Sequence, residues 1–126
     1  MTSEPYRLLV ERSPDGILIS QGGLLVFANQ SAARLCGAAD PEQLLGRSLT
    51  DFLHPDGHQS RLERLDRACA GLPVTPFEEQ IVGADGGITD VEVALTRLDG
   101  TDASPPAVVL TLREISERKR ADATLR

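Results

Sequence analysis

The side chains able to do chemistry are few and scattered. His54, Asp56 and His58 form a His-x-Asp-x-His run, residue types that ligate metals. They straddle Pro55 and the start of a predicted helix, so their side chains need not converge, and no fourth ligand stands nearby. The spacing favours a turn over a metal centre, because a metal site needs ligand number as well as ligand type. Cys36 and Cys69 are far apart and share no Cys-x-x-Cys spacing, so they read as two buried reduced thiols filling apolar space. A regulatory disulfide would require the two helices carrying them to touch. Ser31 lacks a Gly-x-Ser-x-Gly context, and neither histidine has a recognisable nucleophile partner. Glu78 and Glu79 are adjacent on a predicted strand, point to opposite faces and cannot act as a paired acid and base. Gly22-Gly23 lies in a hairpin rather than between a strand and a helix, which is no phosphate cradle. Catalysis is not expected from these residues.

Composition narrows the function classes further. A chain of 126 residues fits one domain and hides about two thirds of its unfolded surface on folding, enough for one core without staples. The net charge of −6, with one tyrosine, three phenylalanines and no tryptophan, offers neither the basic field nor the stacking platforms that nucleic acid requires. Arg118-Lys119-Arg120 is interleaved with Glu117 and Asp122, the pattern of a solvated helix face. No signal peptide and no apolar run long enough to span a membrane is read, so a cytoplasmic chain without direct membrane contact is expected.

The elements that must position these residues follow in order. Ser3 to Glu11 can form a short helix, broken at Ser13-Pro14-Asp15-Gly16. Gly16–Ser20 and Leu24–Ala28 read as two strands joined by a tight turn. Asn29 ends the second strand and can cap a short helix over Gln30–Cys36. Asp40-Pro41 opens one helical turn to Leu45, and Gly46–Leu53 carries Leu49, Phe52 and Leu53 inward on another. The longest helix spans Gly57 to Ala70. Leu62, Leu65, Ala68, Cys69 and Leu72 form its expected inner stripe, with Arg61, Glu63, Arg64 and Arg67 facing water. Three strands close the chain: one from Phe77, one through Val91, Val93 and Leu95 after the Asp85-Gly86 turn, and one over Ala107–Leu112. A charged helix begins at Ser116 and leaves the last strand directly. An antiparallel sheet with its helices gathered on one face is the natural α+β solution.

This order of elements carries a family resemblance. Phe-Ala-Asn at the end of the second strand, Leu-Leu-Gly-Arg-Ser-Leu, the Phe-Leu-His-Pro-Asp turn, the Asp-Gly hairpin and the closing Arg-Glu-Ile-Ser-Glu-Arg-Lys-Arg together resemble a bacterial PAS (sensory box) domain. No one motif is specific; their order and spacing are. The resemblance covers about Tyr6 to Leu125. It implies a five-stranded antiparallel sheet whose concave face, with the short helices, encloses a small pocket in front of a histidine kinase, diguanylate cyclase or related effector. It divides the chain into an N-terminal flanking helix (1–13), a sensor domain (14–115) and the start of a coiled-coil signalling linker (116–126). The family's exit motif is commonly Asp-Ile-Thr; here Glu114, Ile115 and Ser116 keep an acid, a branched apolar residue and a hydroxyl.

On that architecture the inward strand residues are expected to be Ile17 or Ile19, Phe27, Val91, Val93, Val109 and Thr111. The helical wall is expected from Ala33, Leu49, Phe52, Leu62, Leu65 and Cys69. These side chains either fill one another's space as core or surround a small apolar or amphipathic ligand, with Asn29 and Thr111 as polar anchors. The cofactor is left open. Haem is disfavoured, since haem-binding relatives place a histidine where this chain has Cys69-Ala70-Gly71-Leu72. A covalent flavin is disfavoured too, since Cys36 lies in Ala-Arg-Leu-Cys-Gly rather than in the Asn-Cys-Arg-Phe run of the photoactive relatives. Arg118, Ala121 and Leu125 form a short a/d-like seam; a homodimer paired there or through the N-terminal helix, and output to an effector in the same chain, are expected. The rival expectation is a ligand-free interaction and dimerisation module with a filled interior.

Overall fold

Segments rich in alternating apolar residues pair into one antiparallel sheet: β1 (Gly16–Gln21), β2 (Leu24–Ala28), β3 (Phe77–Val82), β4 (Ile88–Leu98) and β5 (Ala107–Glu114). The computed structural model describes residues 8–53, 58–83, 86–101 and 105–115. The strand order is β2-β1-β5-β4-β3, so the last strand lies at the centre, antiparallel to both β1 and β4. The β1–β2 hairpin closes over two residues, Gly22 (φ 62°) and Gly23 (φ 85°). Two successive positive φ values define the turn whose twist matches flanking strands, and glycine adopts them without steric cost.

Residues 8–11 are helical ahead of β1, with residues 1–7 of the expected flanking helix outside the described residues; the β2–β3 connection carries α1 (Gln30–Leu35), 3₁₀ turns at Pro41–Leu44 and Leu49–Phe52, and α2 (His58–Cys69). Asn29 caps α1, its side chain accepting from the N–H of Ala32. Asp40 and Gln43 form a reciprocal capping box around the first 3₁₀ turn. α1 packs on β1 so closely that a Cβ at Gly16 would meet the Ala32 Cα at 3.1 Å. Glycine at Gly16 is what lets strand and helix touch. α2 lies over β4 and β5. Between sheet and helices, Leu18, Leu25, Ala32, Leu44, Ile81 and Val91 are buried in one cluster with Leu110 and Leu112.

Each edge strand is met by the helical connection at one residue. The Leu25 N–H donates to the Arg47 carbonyl and the Gly46 N–H to the Leu25 carbonyl, each at 2.8 Å, which occupies β2 at Leu25. Leu53 bridges Ile81 on β3. Pairing of another strand is thereby interrupted at Leu25 and Ile81. Among the described residues no helix is long and apolar enough to cross a membrane.

Two expected faces are corrected. On α2 the inward stripe is Arg61, Arg64, Leu65 and Ala68, while Leu62, Cys69 and Leu72 are exposed. Leu65 and Ala68 face inward in both, so the stripe is turned by about half a residue step, roughly 50°, and a buried carboxylate opposite Arg61 explains the turn (below). In the sheet, Ile19 pairs with Phe27 on one side and Val109 on the other, and Thr111 pairs with Ile17. All lie on the face away from the helices, because Leu18, Leu110 and Leu112 occupy the alternate, buried positions.

The candidate cavity and the ion pair in its wall

A cavity of about 130 Å³ lies between the sheet and the helical connection. Its floor is the helix-side parity of the sheet: Ser20 of β1, Phe77, Glu79 and Ile81 of β3, Val93 and Leu95 of β4, Leu110 and Leu112 of β5. The wall comes from Cys36 after α1, from Ser48, Leu49, Thr50, Phe52 and Leu53 around the second 3₁₀ turn, and from Arg61, Leu62 and Leu65 of α2. Gly23, in the β1–β2 turn, lies at its rim. The interior is therefore not wholly filled by side chains.

Most of that lining is apolar, but a buried ion pair stands in it. Arg61 and Glu79 are 6% and 10% exposed. The Arg61 Nε and Nη2 both donate to Glu79 Oε2, at 3.1 and 2.9 Å. Arg64 Nη1 lies 3.9 Å from Glu79 Oε1, and its guanidinium stacks over the Phe77 ring, 4.1 Å from the centroid. One carboxylate thus answers two guanidiniums. Charges taken out of water persist only when paired in this way. Opposite them the Ser48 and Thr50 hydroxyls bond each other at 2.8 Å. Burial pushes the Cys36 thiol up to about 11, so it faces the cavity protonated.

Of the expected site residues, Leu49, Phe52, Leu65 and Val93 line this cavity, as does Leu62 at its edge. Ala33 and Val91 are fully buried in the core but lie outside the lining. Asn29 is fully buried too, and its amide is consumed by the chain itself. Its Oδ1 accepts from the N–H of Ile17 and of Ala32, both at 2.9 Å. Its Nδ2 donates to the carbonyls of Val10 (2.8 Å) and Asp15 (3.0 Å). With four bonds made, Asn29 anchors architecture and no ligand. Ile19, Phe27, Val109 and Thr111 stand on the opposite face of the sheet, and Cys69 is exposed rather than buried. Ser31 is buried and its hydroxyl donates to the Ser13 carbonyl.

Arg61 and Glu79 escaped the sequence reading, although the signal existed. Phe77, Glu79 and Ile81 share one parity of β3. Two inward apolar residues imply that the glutamate between them points inward as well, and a buried carboxylate demands a cation.

At the exit, Glu114 pairs with Val91. Ile115 is 2% exposed and its N–H donates to the Asp90 carbonyl at 3.0 Å, which extends the β4–β5 ladder by one more bond. Ser116, the exit helix and its seam lie outside the described residues, as do His54, Asp56 and the turn before α2. Among the described residues no cluster of three His, Cys, Asp or Glu could hold a metal.

A five-stranded antiparallel sheet with a cavity under its helical connection defines a class of small sensory domain. The chain belongs to the PAS family: the model of the PAS fold matches residues 10–120. It is 33% identical over 122 residues to sporulation kinase A of Bacillus subtilis, covering 94% of this chain and 20% of the kinase. The chain thus spans about one fifth of the length of that relative. The PAS domain of an HTR-like protein from Haloarcula marismortui superposes with a TM-score of 0.69 at 27% identity, covering 90% of this chain and 92% of that one. The PAS domain of a LuxR-family transcriptional regulator from Burkholderia thailandensis, solved in complex with ethanol, gives a TM-score of 0.70 at 23% identity over 88% and 97% of the two chains.

Proposed function

We propose that this PAS domain senses a small apolar or amphipathic molecule in its cavity and passes the bound state through the end of β5 to an effector domain of the same protein. The observation that carries the reading is one strand with two duties. β5 supplies Leu110 and Leu112 to the cavity floor and, three residues later, the buried and hydrogen-bonded Ile115 from which the chain leaves the sheet. A change in how the floor packs acts on the exit through three peptide units. The relative that is a sporulation kinase and the neighbour that holds ethanol support the two halves of this reading. Within the domain the role is regulatory and chemistry belongs to the effector. Glu79 is tied to two arginines, the Ser31 hydroxyl to a carbonyl, and the Cys36 thiol is protonated. The domain acts in the cytoplasm as a homodimer, paired through the segments that flank the sheet.

The test is direct. Native mass spectrometry of the purified domain, with a thermal-shift screen against a metabolite library, is expected to find a molecule of about six non-hydrogen atoms, the size that a cavity of some 150 Å³ accepts. No co-purifying molecule and no stabilising hit would leave an empty structural void. For assembly, light scattering on the protein with linker and effector restored is expected to give a dimer; a strict monomer overturns that part.

A further inference from the structure

What the cavity lacks is a free polar handle. Arg61 and Glu79, the two charged residues in its lining, are spent on each other: the Arg61 Nε and Nη2 donate to Glu79 Oε2 at 3.1 and 2.9 Å. The Ser48 and Thr50 hydroxyls bond each other at 2.8 Å. The Cys36 thiol, pushed up to about 11 by burial, is neutral and behaves as a small apolar group. Ser20 is half-buried, in the strand that leads to the Gly23 rim. Among the described residues no buried side-chain nitrogen or oxygen lacks a hydrogen-bond partner. The edge of the cavity is apolar as well, where Leu62 stands 40% exposed and Leu49 and Leu53 are half-buried.

This pairing sets what entry costs. An alcohol or an acid leaves hydrogen bonds to water behind and finds none offered in return, unless it breaks the Ser48–Thr50 bond or the ion pair. A polar group stranded in that way forfeits about one to two orders of magnitude in affinity. A hydrocarbon gives up no such bond. Small cavities lined by leucine, isoleucine and phenylalanine stay dry and take benzene or xenon, and a volume of about 130 Å³ limits the guest here to roughly the size of benzene.

We propose that the cavity selects a wholly apolar molecule and rejects its hydroxylated or ionised analogues, because Ser48, Thr50, Arg61 and Glu79 already bond one another in pairs. This rests on the ligand-sensing reading above and narrows its ligand to the apolar class.

The experiment is an NMR titration of the domain with three probes built on one ring, benzene, phenol and benzoate, at matched ionic strength. Benzene is expected to bind about tenfold or more tightly than phenol, as one unreturned hydrogen bond dictates, and benzoate not at all. Thr50→Val keeps the shape of the side chain but takes from the Ser48 hydroxyl its partner. In that variant phenol is expected to gain about threefold or more while benzene changes by less than about twofold. Phenol or benzoate binding as tightly as benzene overturns the apolar selection while leaving a sensor of amphipathic molecules. No gain for phenol in Thr50→Val overturns the pairing of polar groups as the basis of selection. Binding of none of the three, nor of xenon, overturns the ligand-sensing reading itself.

Discussion

Asn29 and Cys36 differ in what burial makes of a polar side chain. Asn29 is fully buried with four hydrogen bonds, so its two ends are not interchangeable. Aspartate is as good a helix cap as asparagine in general, yet Asn29→Asp would aim a carboxylate oxygen at the carbonyls of Val10 and Asp15. It is expected to cost about 2 kcal/mol or more at neutral pH, from a lost pair of donors and a buried charge facing acceptors. Acidification should recover part of this, since the protonated carboxyl can donate again; urea midpoints at two pH values read both effects. Cys36 has no such partners. With its thiol near 11, about one molecule in a thousand is a thiolate at pH 8. A disulfide reagent is therefore expected to titrate the exposed Cys69 at once and Cys36 only after denaturation. The sign of the stability effect follows. The unfolded thiol loses its proton near 9.0 and the folded one near 11, so stability is complete below pH 9 and falls between the two values, by up to roughly 2 kcal/mol. Cys36→Ala should abolish that fall, and a flat wild-type profile over the same window would refute the assignment.

The order and bounds of the elements were legible because turn and cap residues punctuate the chain. Gly22-Gly23, Asn29 and Asp40-Pro41 each sit where the structure bends or starts a helix. Faces were harder, for three identifiable reasons. β1 and β5 carry apolar side chains on both parities, so alternation alone does not choose between Leu18 and its isoleucine neighbours, or between Leu110 and Val109. β2 is paired to β1 through a bulge between Ile19 and Ser20. One extra residue reverses the parity after Leu25, so that Ala28 points into the core and Phe27 away from it. On α2 an ion pair outweighs an apolar stripe, turning Arg61 inward at the expense of Leu62, which is 40% exposed. The first and the last reason each have a test. Leu112→Ala is expected to cost about 3 kcal/mol and Thr111→Ala less than about 0.5, as measured by chemical denaturation. Similar costs at both would mean the strand is covered on its two sides. Arg61→Met alone should cost about 3 kcal/mol or more by stranding Glu79, and most of that loss should return in Arg61→Met/Glu79→Met, since a buried pair replaced whole is nearly neutral.

At the scale of the molecule the question is why a domain this small keeps a hole under its central strand. Close packing is worth free energy, and a void lined by leucine and phenylalanine forfeits contacts on every side. β5 runs from the floor of that void to the pinned Ile115, so filling the void tightens the strand that holds the exit. Thermodynamic linkage makes the claim reciprocal: whatever factor occupancy adds to closure at Ile115, closure at Ile115 adds to affinity. Saturating the cavity is expected to slow exchange of the Ile115 amide about fivefold, and Ile115→Ser, which unpins the end, to weaken binding by a similar factor. Ile115 is not among the residues that line the cavity, so a loss of affinity reaches it through β5 or through β4, to which the Ile115 N–H is bonded. Unchanged affinity in Ile115→Ser, with exchange at residue 115 indifferent to ligand, would uncouple the cavity from the exit and leave β5 a structural strand with no part in signalling.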